Sequence, residues 1–197
     1  MVRKRTFTRD QVIAGAVTFV CEQGWSALTA RTLAAKLGSS TMPIYTTVGS
    51  LEQLEEEVRL VAMQRLIEQQ RHPYTTNPLL NLAIGYVVFA RDEPKLFRFL
   101  FVERPRPVTE EQHRRLAQTS VADAIGGDLP LSAYLNQQDP AVLSGLALKG
   151  WIFCHGLASL VVNGNLVDLN DDAIRTLMEQ AGAWEQQQGE SNPQEEG

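Results

Sequence analysis

The sequence predicts an all-α protein: three short helices at the N-terminus, then one long helix leading into a helical body, about nine helices in all. Three observations carry this. Strand-like alternation is almost absent, while apolar residues recur at helical spacing from end to end. Capping boxes and helix-stopping glycines punctuate the first fifty residues at short intervals. One late segment, 140–163, is apolar nearly all round, and such a helix must be covered on more than one side.

The elements follow in order. Thr8-Arg9-Asp10-Gln11 has the form of a capping box, and Val12, Ile13, Ala16, Val17, Phe19 and Val20 then make one apolar face. Gly24 is expected to stop this helix as a left-handed cap. Thr29 caps a second helix running to about Leu37, with Leu33, Ala34 and Leu37 facing inward. Gly38 provides a tight turn, and Ser39 to Thr41 lead into a short third helix that ends at Gly49. Pro43 falls in its first turn, where a missing N–H costs least. Ser50-Leu51-Glu52-Gln53 is a second capping box, opening a long fourth helix that lasts to about Arg71, before Pro73. Further helices are expected over 77–91, from 94 to near 101, over 109–125, briefly after Pro130, over 140–164 behind an Asp139 N-cap, and over 171–188. Residues 103–107 read as a loop, and the Gln- and Glu-rich end as a disordered tail. The expected organisation is therefore 1–50, 51–188 and a tail at 189–197.

Composition narrows the function classes. Hydrophobic residues at 44% and charged residues at 21% describe an ordinary globular chain. Cys21 and Cys154, its two cysteines, make neither a disulfide framework nor a zinc site. The longest charge-free apolar stretch is shorter than the roughly 20 residues a spanning helix needs, and no secretory signal leads the chain, so the expected location is the cytoplasm, off the membrane. There is no Ser/His/Asp order and no phosphate loop, and His72, His113 and His155 are scattered. No enzyme, cofactor or metal is expected. The net charge of −5 hides an asymmetry: Arg3, Lys4, Arg5, Arg9, Arg31 and Lys36 against Asp10 and Glu22 leave residues 1–50 at +4. A basic segment on an acidic body suggests a polyanion partner for one end.

Helix, short helix, glycine-containing turn and second short helix form a helix-turn-helix, whose second helix enters the major groove of double-stranded DNA. Its leading residues here are Ser39, Ser40, Thr41, Met42 and Pro43, followed by Tyr45, Thr46 and Thr47, with Ile44 and Val48 anchoring it inward. Hydroxyls bond phosphates and base edges, while Met42 and Pro43 suit a thymine methyl. Arg31 starts the second helix, and Arg3, Lys4 and Arg5 form an arm able to track a phosphate backbone or enter the minor groove.

At these residues the chain resembles the TetR family. The run LTARTLAAKLGSSTMPIYTTVGSLEQL follows the family pattern Thr-x-Arg-x-[LI]-Ala-x-x-[LA]-Gly leading to [LI]-Tyr-x-x-[FV]-x-[SN]-x-x-x-Leu. The resemblance covers about 8–54 specifically and the body more loosely, through FARDEPKLFRFLF and the W-x-x-x-H-G-L-A run at Trp151. It implies second-helix contacts at Thr29 and Arg31, a phosphate contact at Tyr45, and a fourth helix whose N-terminus, at Ser50, faces a phosphate. Thr47 stands where the family often has histidine, Val48 where phenylalanine is commonest, and Leu51 where a phosphate-binding lysine usually sits.

The body suggests a homodimer through 140–163 and 171–185: Ile174, Leu177, Met178, Ala181 and Trp184 make one stripe on the last helix, and the resemblance implies the same two-fold interface. Candidate lining for a largely apolar effector is Phe89, Phe97, Phe101, Trp151, Cys154 and His155, with His155 as the internal hydrogen-bond partner. Cys154 and His155 are adjacent on a helix and point about 100° apart, which disfavours a nucleophile–base pair. The expected function is a ligand-responsive repressor on a palindromic operator. The competing expectation is a helical interaction protein on the same scaffold that has lost operator binding.

Overall fold

The structure, a computed structural model, describes residues 7–107 and 140–190, with side chains over 7–107 and 148–181. The expected helices at 109–125 and after Pro130, the arm at 3–5, and residues 191–197 of the expected tail lie outside the described residues. The described residues form eight α-helices and no strand. They are α1 (Arg9–Gln23), α2 (Ala30–Leu37), α3 (Thr41–Val48), α4 (Leu51–Arg71), α5 (Pro78–Asp92), α6 (Pro94–Arg98), α7 (Pro140–Val162) and α8 (Asp171–Glu190). A 3₁₀ turn (Trp25–Ala27) and a π-helical turn (Phe99–Glu103) complete them.

The chain divides into two compact units, residues 1–68 with 89–107, and residues 69–88 with 108–197. In the first unit the caps work as their residue types dictate. Thr8 Oγ1 accepts from Gln11 N at 3.2 Å, while Gln11 Oε1 accepts from Thr8 N at 3.0 Å. Thr29 and Thr32 repeat the exchange at α2, with Thr32 in the role more often filled by Glu or Gln. Gly38 closes α2 in the left-handed region, φ 64° and ψ 42°. Gly24 departs from expectation: its φ is positive at 84°, but ψ is 162°, so the chain leaves extended rather than as a left-handed cap. The reason is tertiary. The next residue, Trp25, is buried in the 3₁₀ turn with its ring 4.9 Å from that of Phe99.

That contact belongs to a wider docking of residues 94–104 on the loop between α1 and α2. Glu103 Oε2 accepts from Ser26 N at 3.1 Å, and Lys95 Nζ donates to the Glu22 carbonyl. Arg59 of α4 lies 5.0 Å over the Phe99 ring and donates to the Arg104 carbonyl at 2.7 Å. Val12, Ala16, Val20, Leu33, Ile44, Val48, Leu54 and Val58 form the core beneath. The π turn, where a helix end near Phe101 is expected, turns Phe99 and Leu100 into this core.

In the second unit, α5 crosses the end of α4 at Gly85, and α7 meets α8 where Cys154 Sγ lies 3.9 Å from Met178 Sδ; Leu157, Ala158 and Ile174 are buried as well. Asn81 is a buried polar group, held by Thr75 on both its oxygen and its nitrogen. Asn170 Oδ1 caps α8 by accepting from Ala173 N at 2.8 Å.

Candidate functional site

The helix-turn-helix places one face of α3 in solvent. Ile44 and Val48 are buried against α1 and α2, which turns Met42 (65% exposed) and Tyr45 (46% exposed) outward with Ser40, Thr41 and Thr46. Ser40 is the N-cap residue but makes no capping bond, so its hydroxyl and the first amides of α3 are presented rather than consumed. Two hydroxyls are already engaged: Thr46 Oγ1 donates to the Met42 carbonyl at 2.9 Å and Thr47 Oγ1 to that of Pro43 at 2.7 Å. They face a polyanion as acceptors unless their rotors turn. Ser39 Oγ likewise donates to the Ser40 carbonyl.

The charge of this region is smaller at its surface than the count of +4 suggests. Arg9 pairs with Glu57 at 2.6 Å and donates to the Thr47 carbonyl, which ties α1 to the end of α3 and to α4. Lys36 pairs with Glu22 at 2.5 Å, a pair that the count of +4 already includes. Arg31, on the exposed face of α2, has no ion pair among the described residues, and is the described cation available to a phosphate or a base edge. Thr29 is exposed, with its hydroxyl held in the capping box.

The predicted effector residues fall in different units. Phe89 and Phe97 are fully buried in the first, where Phe101 is half-buried with its ring 4.9 Å from that of Phe97. Trp151, Cys154 and His155 come together in the second, around a residue that sequence reasoning missed, Tyr86 of α5. The Tyr86 hydroxyl is 2.9 Å from His155 Nδ1, and the Trp151 and His155 rings stack at 5.2 Å. Burial pushes the Tyr86 phenol well above its ordinary range, and depresses His155. Tyrosine in the apolar run of α5 was the available signal.

The depressed histidine sets a pH prediction. The unfolded chain takes up this proton near about pH 6.5 and the folded chain only below it. Between those values the unfolded state binds more protons, so stability rises with pH through that window and falls on acidification. Tyr86 and Cys154 are the titratable neighbours, and no charged group among the described residues contributes to the shift. Melts at about pH 7 and about pH 5.5 should show His155→Gln losing less stability on acidification than the wild type. Equal losses would assign the pH dependence to other groups.

Helix α7 also has an outward face. Ile152 (57% exposed), Phe153 and Leu160 are exposed on it, and a methyl group added at Gly156 would meet nothing within 4 Å. Leu177 of α8 is half-buried, and Trp184 lies beyond the described side chains. Among the described residues no group of three or more His, Cys, Asp or Glu side chains could hold a metal ion, and no helix is long and apolar enough to cross a membrane.

Residues 79–182 match a family model described as tetracyclin repressor-like, C-terminal domain. Over 182 residues the chain is 26% identical to an uncharacterized HTH-type transcriptional regulator of Mycobacterium tuberculosis, a match spanning 90% of this chain and 81% of that protein.

Proposed function

Because the chain belongs to the TetR family of transcriptional regulators, we propose that it is a repressor that binds a palindromic operator as a homodimer and is released by a small, largely apolar effector. The observation that carries the DNA half of this reading is the exposed, uncharged polar face of α3, with Arg31 exposed on α2 and without an ion pair among the described residues. Residues 1–50 read the DNA, with Arg31 and Tyr45 on phosphates or base edges, Thr29, Ser39, Ser40, Thr41, Thr46 and Thr47 as hydroxyl contacts, Met42 and Pro43 against a thymine methyl, and Arg3, Lys4 and Arg5 along the backbone. Residues 51–188 bind the effector and the second copy.

The effector end is assigned to the Trp151–Cys154–His155 cluster. His155, with its Nδ1 2.9 Å from the Tyr86 hydroxyl, is the polar group that meets the effector. Helix α5 carries Tyr86 and, one turn on, Phe89, and the chain runs on from it into the segment docked on the α1–α2 loop, which offers an effector-dependent shift a route toward the reading helix.

The test is a gel shift with the region upstream of the gene. Arg31→Ala and Tyr45→Ala should each weaken binding by about 1–3 kcal/mol. Wild-type protein that ignores every duplex would favour the scaffold turned interaction protein, for which Leu51, Thr47 and the paired Arg9 and Lys36 speak.

A further inference from the structure

Helix α4 begins immediately after the reading helix, across Gly49, and its first turn is unusually self-sufficient. Ser50 Oγ accepts from Gln53 N at 3.2 Å, Ser50 N donates to Gln53 Oε1 at 3.1 Å, and the Ser50 carbonyl accepts from Leu54 N. Glu52 stands exposed in this first turn, and hydrogen bonding at its own amide and at Ser50 holds its carboxyl below the ordinary carboxylate range. A helix N-terminus ordinarily favours an incoming anion through its free amides and its dipole. Here an anion is resident, fully exposed, and next to it stands Leu51 in place of a cation.

We infer that Glu52 limits the sequence-independent, electrostatic part of DNA binding: it places a fixed negative charge beside α3, where a duplex brings its phosphates. The inference rests on the DNA-binding reading above. Non-specific affinity is almost wholly electrostatic, so a repulsion that α3 can offset with base contacts on an operator has no offset on random sequence. Ser50 caps this helix, its Oγ accepting from Gln53 N. Screening confines the effect to charges within about 8–10 Å at ordinary salt, so position on the helix matters. Glu68, another exposed acid of α4, lies about 24 Å further along it and serves as the control.

The experiment measures fluorescence anisotropy of the full chain on two duplexes, the upstream region of its gene and a random sequence, across a salt series. Glu52→Gln should tighten both by about fivefold at low salt. Glu52→Lys should tighten them further and steepen the log–log salt slope by about one. Glu68→Gln should change neither. Thermal melts of each variant confirm folding, which the Ser50–Gln53 exchange maintains. Wild-type binding with no gain, or a loss, in Glu52→Gln overturns the inference alone and leaves the DNA-binding reading standing. An equal gain in Glu68→Gln also overturns it, in favour of net charge. If no variant binds either duplex while all stay folded, the DNA-binding reading falls and the inference with it.

Discussion

Ile152→Glu is expected to leave the chain folded but monomeric, and to lower operator affinity by on the order of a hundredfold or more. Ile152 already faces outward from α7, so a carboxylate there meets solvent in the single chain and disturbs no core. In the proposed dimer the same face, with Phe153, Gly156 and Leu160, is covered by its copy, and an unpaired charge buried there is strongly unfavourable. Separation then acts on DNA binding by geometry. Two reading heads held about 34–36 Å apart meet successive major grooves on one side of a duplex, so the second half-site is engaged at high effective concentration. One head alone keeps only its own few contacts. Sedimentation velocity at micromolar protein, with anisotropy on the operator, checks both halves. A wild type that sediments as a monomer, or an Ile152→Glu chain that remains a dimer, would remove α7 from the interface.

What was legible in the sequence is what is decided locally. The capping pairs Thr8–Gln11 and Ser50–Gln53 lie three residues apart, so residue type alone selects the bond. The burial of Ile44 and Val48 and the exposure of Met42 and Tyr45 follow from helical period on a helix too short to have other choices. Decisions made across long separations were not legible. A stop at Gly24 could be read, but its ψ depends on where Trp25 goes, and Trp25 goes to Phe99. The basic count of the first fifty residues was visible, yet Arg9 is neutralised by Glu57, 48 residues on. His155 could be singled out as a polar residue on an apolar helix, whereas its partner Tyr86 is 69 residues away and carries no motif. Glu52 read as the interior of a capping box, and the structure adds that it stands exposed in the first turn of α4.

Gly85→Ala should be the most destabilising single methyl in the described structure, at about 3 kcal/mol. Two effects oppose each other there. Replacing a mid-helix glycine by alanine ordinarily stabilises a helix by about 1 kcal/mol, since the unfolded chain loses freedom. Against that, the new Cβ would stand 2.3 Å from the Gln69 carbonyl oxygen and 2.5 Å from Gln70 Cα, far inside van der Waals contact. These are backbone atoms, so no side-chain rotation relieves them. The α4–α5 turn cannot easily open either. Gln70 Nε2 donates to the Leu82 carbonyl at 3.2 Å, Tyr74 donates to Gln69 Oε1 at 2.8 Å, and Asn81 holds Thr75. Parting the helices would break those bonds and expose Ile84 and Val88, both buried. The steric cost therefore exceeds the propensity gain. For a chain of this size the expected fall in melting temperature is about 6–12 °C. Gly85→Ala melting at or above the wild type would mean that α5 does not cross α4 this closely.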